Sequence, residues 1–232
     1  MSGLVIAIDG PSASGKSTVS RKVARRLNLI HVDSGALYRG VTWYFLSHKV
    51  NAADSAAITA ALKQMRMDFL VEDSAIKFSI DGVAPDAELR SAAVNSNVSQ
   101  IAALPAVREW IVRQLRKMPA FGDLVMEGRD IGTAVFPGAK FKFYLDATPA
   151  ERARRRYLEM SNSNQGACGP QITYDEILRS ILKRDGIDSS RALAPLKVAL
   201  EAVVIQSTKM SIDEVVDVIV AKVQGSGFKV HS

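Results

Sequence analysis

Leu4-Val5-Ile6-Ala7-Ile8-Asp9-Gly10-Pro11-Ser12-Ala13-Ser14-Gly15-Lys16-Ser17-Thr18 is the stretch whose reading decides the fold. A short apolar run leads into a loop framed by two glycines, and an amphipathic helical pattern follows. Residues 10–17 fit G-x-x-x-x-G-K-[ST]. In such a loop the backbone amides turn inward and form a nest for anionic oxygens. Glycine permits the tight turn and the close approach of backbone to ligand. Lys16 supplies a charge to the β- and γ-phosphates, Ser17 offers a hydroxyl to Mg²⁺, and the next helix aims its positive end at the site. The expected triphosphate contacts are therefore Gly10, Pro11, Ser12, Ala13, Ser14, Gly15, Lys16, Ser17 and Thr18.

Outward from this loop, apolar runs alternate with helical patterns, the arrangement of parallel βαβ units. Strands are expected at 4–9, 29–33, 124–127, 140–145 and 202–206, and helices near 16–27, 36–48, 106–117, 149–160, 174–183 and 211–223. Ser211 followed by Glu214 reads as a capping box. The fold class is α/β: a three-layer phosphate-loop core with a five-stranded parallel sheet. One segment breaks the alternation. Residues 66–72 and 75–82 read as two strands around Glu72-Asp73-Ser74, with Ile76, Phe78 and Ile80 alternating against polar neighbours. A small antiparallel lobe is expected at 63–104, a short lid at 151–172, and the core in 1–62, 105–150 and 173–232. Within the lid, Ser161 to Pro170 has the composition of a mobile loop.

Composition narrows the partners. With 30 Lys+Arg against 24 Asp+Glu the formal charge is +6, which favours anionic partners. The densest basic run is only Arg152-Ala153-Arg154-Arg155-Arg156, so small phosphorylated ligands are expected rather than nucleic acid. No apolar run approaches the roughly 20 residues of a membrane span. The first apolar run is too short for a secretory signal. Cys168 is the single cysteine, so no internal disulfide forms, and a reducing, cytoplasmic setting is expected.

The loop points to a nucleoside triphosphate without naming the reaction. A GTPase-type switch would carry D-x-x-G, which is absent, and [NT]-K-x-D; Thr208-Lys209-Met210 is followed by Ser211. Three further strings combine charge and glycine: Asp33 to Arg39, Gly128 to Thr133, and Lys183 to Arg191. The first two follow strands, and open α/β sheets bind ligands beyond the carboxyl ends of their strands. Taken singly, each has a plainer reading. Asp33 either caps the helix near Ala36 or holds a metal through water. Asp130 could stabilise its own turn, Arg184 and Asp185 could be a solvated pair, and Arg152 to Arg156 either an exposed face or a phosphate-gripping lid helix. His31, His48 and His231 have no partner pattern.

Read together, the strings IDGPSASGKST (8–18), DSGALYR (33–39), VSQIAALPAVRE (98–109), EGRDIGTAVFP (127–137) and RDGIDSSRALAPL (184–196) closely resemble bacterial cytidylate kinases, a nucleoside monophosphate kinase family. Order and spacing agree over essentially the whole chain, and the 63–104 lobe resembles that family's monophosphate-binding insertion. The resemblance implies that Ser34, Arg108 and Asp130 read cytosine, that Ser99, Arg184 and Asp188 meet the ribose, and that Tyr38, Arg39, Arg129 and Arg191 surround the acceptor phosphate. Lys16, Arg129, Arg184 and Arg191 would be catalytic. Arg152 and Arg156 would grip ATP, and Ser17 with Asp33 (through water) would serve Mg²⁺. It implies transfer of the γ-phosphoryl group of ATP to CMP or dCMP by a monomer. The alternatives are a phosphate-loop kinase for UMP, AMP or a phosphorylated metabolite, and a binding module without chemistry. The 161–172 stretch departs from the family pattern, being longer and richer in Asn and Gly.

Overall fold

The computed structural model describes residues 3–163 and 173–227. Strand β1 (Val5–Asp9) is buried throughout. Its period of two places Val5 and Ala7 in one apolar cluster and Ile6 and Ile8 in another, on opposite faces of the sheet. Neighbouring β5 (Leu124–Gly128) divides in the same way, Leu124 and Met126 to one side and Val125 to the other. A strand this apolar requires helices over both faces. Helices α1 (Lys16–Arg26) and α8 (Ile212–Gln224) cover one; α2 (Ser34–Ser47), α3 (Ser55–Gln64), α4 (Ala92–Ala103) and α5 (Pro105–Leu115) cover the other.

The five expected parallel strands are present: β1, β2 (Ile30–Asp33), β5, β6 (Phe141–Asp146) and β7 (Val203–Gln206). The sheet, however, has seven strands, in the order β3-β4-β2-β5-β1-β6-β7. The antiparallel hairpin β3 (Met67–Glu72) and β4 (Ala75–Ile80) does not stand apart from it. Its β4 edge joins β2 in parallel through His31 and Ala75, and the His31 amide donates to Ser74 O at 2.8 Å. The turn is two residues long, with Asp73 and Ser74 at φ of 50° and 57°, a backbone twist that suits a hairpin. The alternation of Ile76, Phe78 and Ile80 explains the docking. Phe78 and Ile80 are buried in the α2–α5 cluster, and a Cβ at Gly40 of α2 would lie 2.7 Å from the Phe78 ring. The hydrophobic face that suggested a separate lobe is the face that seats the hairpin on α2, while its β4 edge continues the main sheet.

Two helices carry no strong signal in the sequence. Helix α3 is capped by Asp54, which accepts from Ala56 N and Ala57 N at 2.8 and 3.1 Å. Helix α4 is capped by Ser91 and packs against α2, α5 and the helix over Tyr174–Ser190. Helix α7 (Tyr174–Ser190) opens with a capping box between Thr173 and Glu176 and runs past its expected end at 183. Arg184, Asp185 and Asp188 are therefore helical despite Gly186. The ion pairs of Asp185 with Arg152 and of Asp188 with Arg129 hold this last part of the helix in place. Helix α6 (Pro149–Ser163) ends near the expected lid loop; residues 164–172, Cys168 among them, lie outside the described residues, as does His231. Among the described residues no helix is long and apolar enough to cross a membrane.

Candidate active site

Parallel pairing brings the carboxyl ends of β1, β2 and β5 to one edge: Asp9 is opposite Gly128, and Asp33 opposite Glu127. The phosphate loop and the strings at 33 and 128 start there. Gly10 is required by close approach, since a Cβ on it would meet Leu145 O at 2.1 Å, with φ at +149°. Gly15, at φ +91°, turns the chain into α1. Pro11 and Ser14 are buried, Ser12 and Ala13 partly covered, and Thr18 exposed. Lys16 is buried and donates to Pro11 O at 2.6 Å and Ser14 Oγ at 3.2 Å. Burial, reinforced by the charge of Arg129, holds its ammonium pKa well below the usual lysine value. A ligand phosphate would relieve that penalty.

Ser17 donates its hydroxyl to Glu127 Oε2 at 2.8 Å. Glu127 is buried, and its Oε1 has no hydrogen-bond partner, with His31 Nε2 3.4 Å away. A hydroxyl and a carboxylate with a spare oxygen suit a hard cation held partly through water and completed by phosphate oxygens. Among the described residues no group of three or more His, Cys, Asp or Glu is arranged to hold a metal without such help. Glu127 was given no role in the sequence reading. Its signal was present, an acid closing an otherwise apolar strand. Asp33 proves to be the cap of α2, accepting from Ala36 N at 3.0 Å, while its other oxygen pairs with Arg39 at 2.9 Å.

Helix α6 meets the loop through arginines. Arg152 is buried, bonded to Ala147 O and Ser12 O at 2.9 and 3.0 Å and to Asp185 at 2.6 Å. It braces the loop from behind. Arg156 is half-buried and paired with Glu159 at 3.4 Å. Arg155, for which no individual role was expected, reaches Ser14 O at 3.4 Å and Ser207 O at 2.6 Å.

On the other side of Lys16 the expected acceptor residues come together from distant segments. Arg108, on α5, ion-pairs with Asp130, both buried, and its guanidinium lies 5.7 Å from the centre of the Tyr38 ring. Arg191 Nη2 is 3.6 Å from Asp130 and its Nη1 is 3.8 Å from Asp188. Asp188 in turn accepts from Arg129 Nε at 3.0 Å. Ser34 donates to Glu127 O at 2.6 Å. Ser99 is half-buried on α4.

Three buried polar atoms here lack a hydrogen bond, Tyr38 Oη, Arg184 Nε and Arg191 Nη2, the last held only by its 3.6 Å ion pair with Asp130. Burial, with Arg129 close by, lowers the Arg184 pKa to about 10; burial also raises the Tyr38 hydroxyl to about 12. Orphaned cationic donors in a desolvated site are unfavourable unless an anion completes them. Asp9 was missed altogether. It accepts from the Ile131 and Gly132 amides, each at 2.8 Å, and burial raises its carboxyl pKa to about 6.

A phosphate loop at the carboxyl edge of a parallel sheet, faced by buried arginines, defines the class of phosphate-loop kinases. A family model described as cytidylate kinase matches residues 6–225. A cytidylate kinase of Fusobacterium nucleatum is 39% identical over 97% of this chain and 99% of its own. Others, from Desulforamulus reducens (42%, over 94% of this chain and 96% of its own) and Lactiplantibacillus plantarum (43%, over 92% and 91%), are similar at comparable length. The chain belongs to the cytidylate kinase family.

Proposed function

We propose that the protein transfers the γ-phosphoryl group of ATP to CMP, and to dCMP, giving ADP and CDP or dCDP. The observation that carries this reading is the buried Arg108–Asp130 pair beside the unbonded donors of Arg184 and Tyr38. Cytosine presents an N4 donor beside N3 and O2 acceptors. A carboxylate accepts from N4 and a guanidinium donates to the acceptor edge, so the pair matches both halves of that edge. Ser34 completes the base site, Ser99, Arg184 and Asp188 meet the ribose, and Tyr38, Arg39, Arg129 and Arg191 take the phosphate, with Arg129, Arg184 and Arg191 joining Lys16 as the catalytic cations. The 63–104 segment is the part proposed to close over CMP.

The attacking atom is an oxygen of the CMP phosphate, already ionised near neutral pH. It bonds to the γ-phosphorus as the bond to the β,γ-bridging oxygen breaks and ADP leaves. No side chain needs to remove a proton, so catalysis consists of alignment and charge neutralisation. Lys16 lies against the charges of Arg129 and Arg184, where the two phosphates would meet. Arg152 holds the loop in shape, and Arg156 would leave its pair with Glu159 to grip ATP. Mg²⁺ arriving with ATP supplies further neutralisation; Ser17 would hold it, with Glu127 and Asp33 acting through water. The chain is read as a cytoplasmic monomer.

Purified protein with Mg-ATP and CMP, dCMP, UMP, AMP or no acceptor decides the matter. ADP formation with CMP and dCMP well above the other cases is expected. Release led by another acceptor would reassign the substrate, and none with any acceptor would leave a binding module.

A further inference from the structure

Asp130 opens the short helical turn Ile131–Val135, yet its side chain makes no capping bond to that turn. This is unusual for an aspartate in such a place. Elsewhere in this chain Asp33 and Asp54 cap the helices they precede, as short acidic side chains commonly do. The two amides that Asp130 leaves free are taken by Asp9, which is far away in sequence. Its Oδ1 accepts from Ile131 N and its Oδ2 from Gly132 N, both at 2.8 Å, in a fully buried setting. Asp130 is then able to pair with Arg108 and face Arg191.

We infer that Asp9 is a positioning residue for base specificity: by capping the 131–135 turn in place of Asp130, it keeps the Asp130 carboxylate turned toward the base site. The identity of the base rests on the cytidylate reading above; the exchange of capping roles does not. Without Asp9 two buried amides lose their partner, and the nearest replacement acceptor in sequence is Asp130 itself. Capping its own turn would take Asp130 off Arg108. Asp9 also immediately precedes Gly10, so the triphosphate loop and the base-reading turn share one anchor. Burial holds its pKa near 6, so in a neutral assay both oxygens are free to accept.

Asp9→Asn tests this, because it keeps the shape and one acceptor while setting an NH₂ group against an amide N–H. A crystal structure of the unliganded variant is expected to show the Asp130 carboxylate on the Ile131 or Gly132 amide and the Arg108 pair broken. An unchanged Asp130–Arg108 pair would overturn the inference. In kinetics, the CMP-over-UMP ratio of kcat/KM should fall on the order of tenfold, the loss of one hydrogen bond to a charged group, with the KM for ATP nearly unchanged. Equal losses for both acceptors would mean a merely structural role and also count against it. In an Asp130→Ala background, Asp9→Asn should lower the ratio no further. If Asp9→Asn does not fold, Asp9→Ser retains an acceptor and is read in the same ways. Should the parent itself not prefer CMP, the cytidylate reading fails, while the crystal structure still decides the role of Asp9.

Discussion

Lys16, beside the phosphate loop, gives its ammonium protons to Pro11 and Ser14, whereas Arg184 and Tyr38, on the opposite wall, keep buried polar atoms with no partner. The loop side comes from consecutive residues at one strand–helix junction and is braced from behind by Arg152 and Arg155. The arginine side comes from α2, α5, the turn after β5, and the end of α7. The first is a self-consistent piece of backbone whose polar groups are bonded within the loop and to its bracing arginines. The second is a network of cations and carboxylates drawn from distant segments, with donors of Arg184 and Tyr38 left unbonded. On the proposed assignment, donor binding depends on local geometry, and acceptor selection on distant elements kept in register.

The largest expected effect breaks the loop side. Lys16→Ala removes the charge at the point of transfer and should lower kcat on the order of 10²- to 10³-fold, with the far-ultraviolet circular dichroism spectrum unchanged. Near-normal turnover in a folded variant would contradict the comparison. On the arginine side, Arg184→Met should separate stability from activity. It removes a buried guanidinium with an unpaired Nε, so kcat falls steeply while the urea midpoint rises, by an amount corresponding to about 1 kcal/mol. A destabilised variant would mean that Arg184 is structurally satisfied.

A smaller effect comes from Asp9. Its folded pKa is raised from 3.8 to about 6, chiefly by burial, with Asp130 adding repulsion and Lys16 and the two amides opposing it. A raised carboxyl favours the protonated form in the fold. Its stabilising contribution is complete below about pH 4 and is lost as pH rises through 6. The urea midpoint of the parent relative to Asp9→Asn should therefore decline between pH 4 and 7; a rise over that window would reverse the assigned sign. The smallest effect is at the helix cap. Asp33→Ala should destabilise by about 1 kcal/mol, more than loss of the Arg156–Glu159 pair.

What could be read from the sequence follows the same division. The loop, β1 and α1 were plain because each is local: a glycine spacing, an apolar run, a helical period. The five parallel strands were plain for the same reason. The hairpin was read correctly as two strands, but its attachment was not, because the docking of Phe78 against Gly40 joins residues far apart in the chain. The extension of α7 through Gly186 depends on tertiary partners of Asp185 and Asp188 that no local propensity encodes. In the site, the residues proposed to hold the acceptor were reached only through family resemblance, since nothing within residues 127–137 says that Arg108 will lie against Asp130. Asp9 and Glu127 were in plain view within quoted motifs. Their roles depend on contacts with Ile131, Gly132 and Ser17 across the sheet, which no spacing rule reveals.

The separation of the two sides is tested most directly by comparing the parent with Asp130→Ala, measuring kcat/KM for CMP and for UMP at saturating Mg-ATP, and the KM for ATP. The account predicts that the parent strongly prefers CMP, and that the variant loses most of that preference while its KM for ATP stays close to the parental value. An undiminished preference for CMP in the variant, or an ATP KM that rises as much as the CMP selectivity falls, would contradict it.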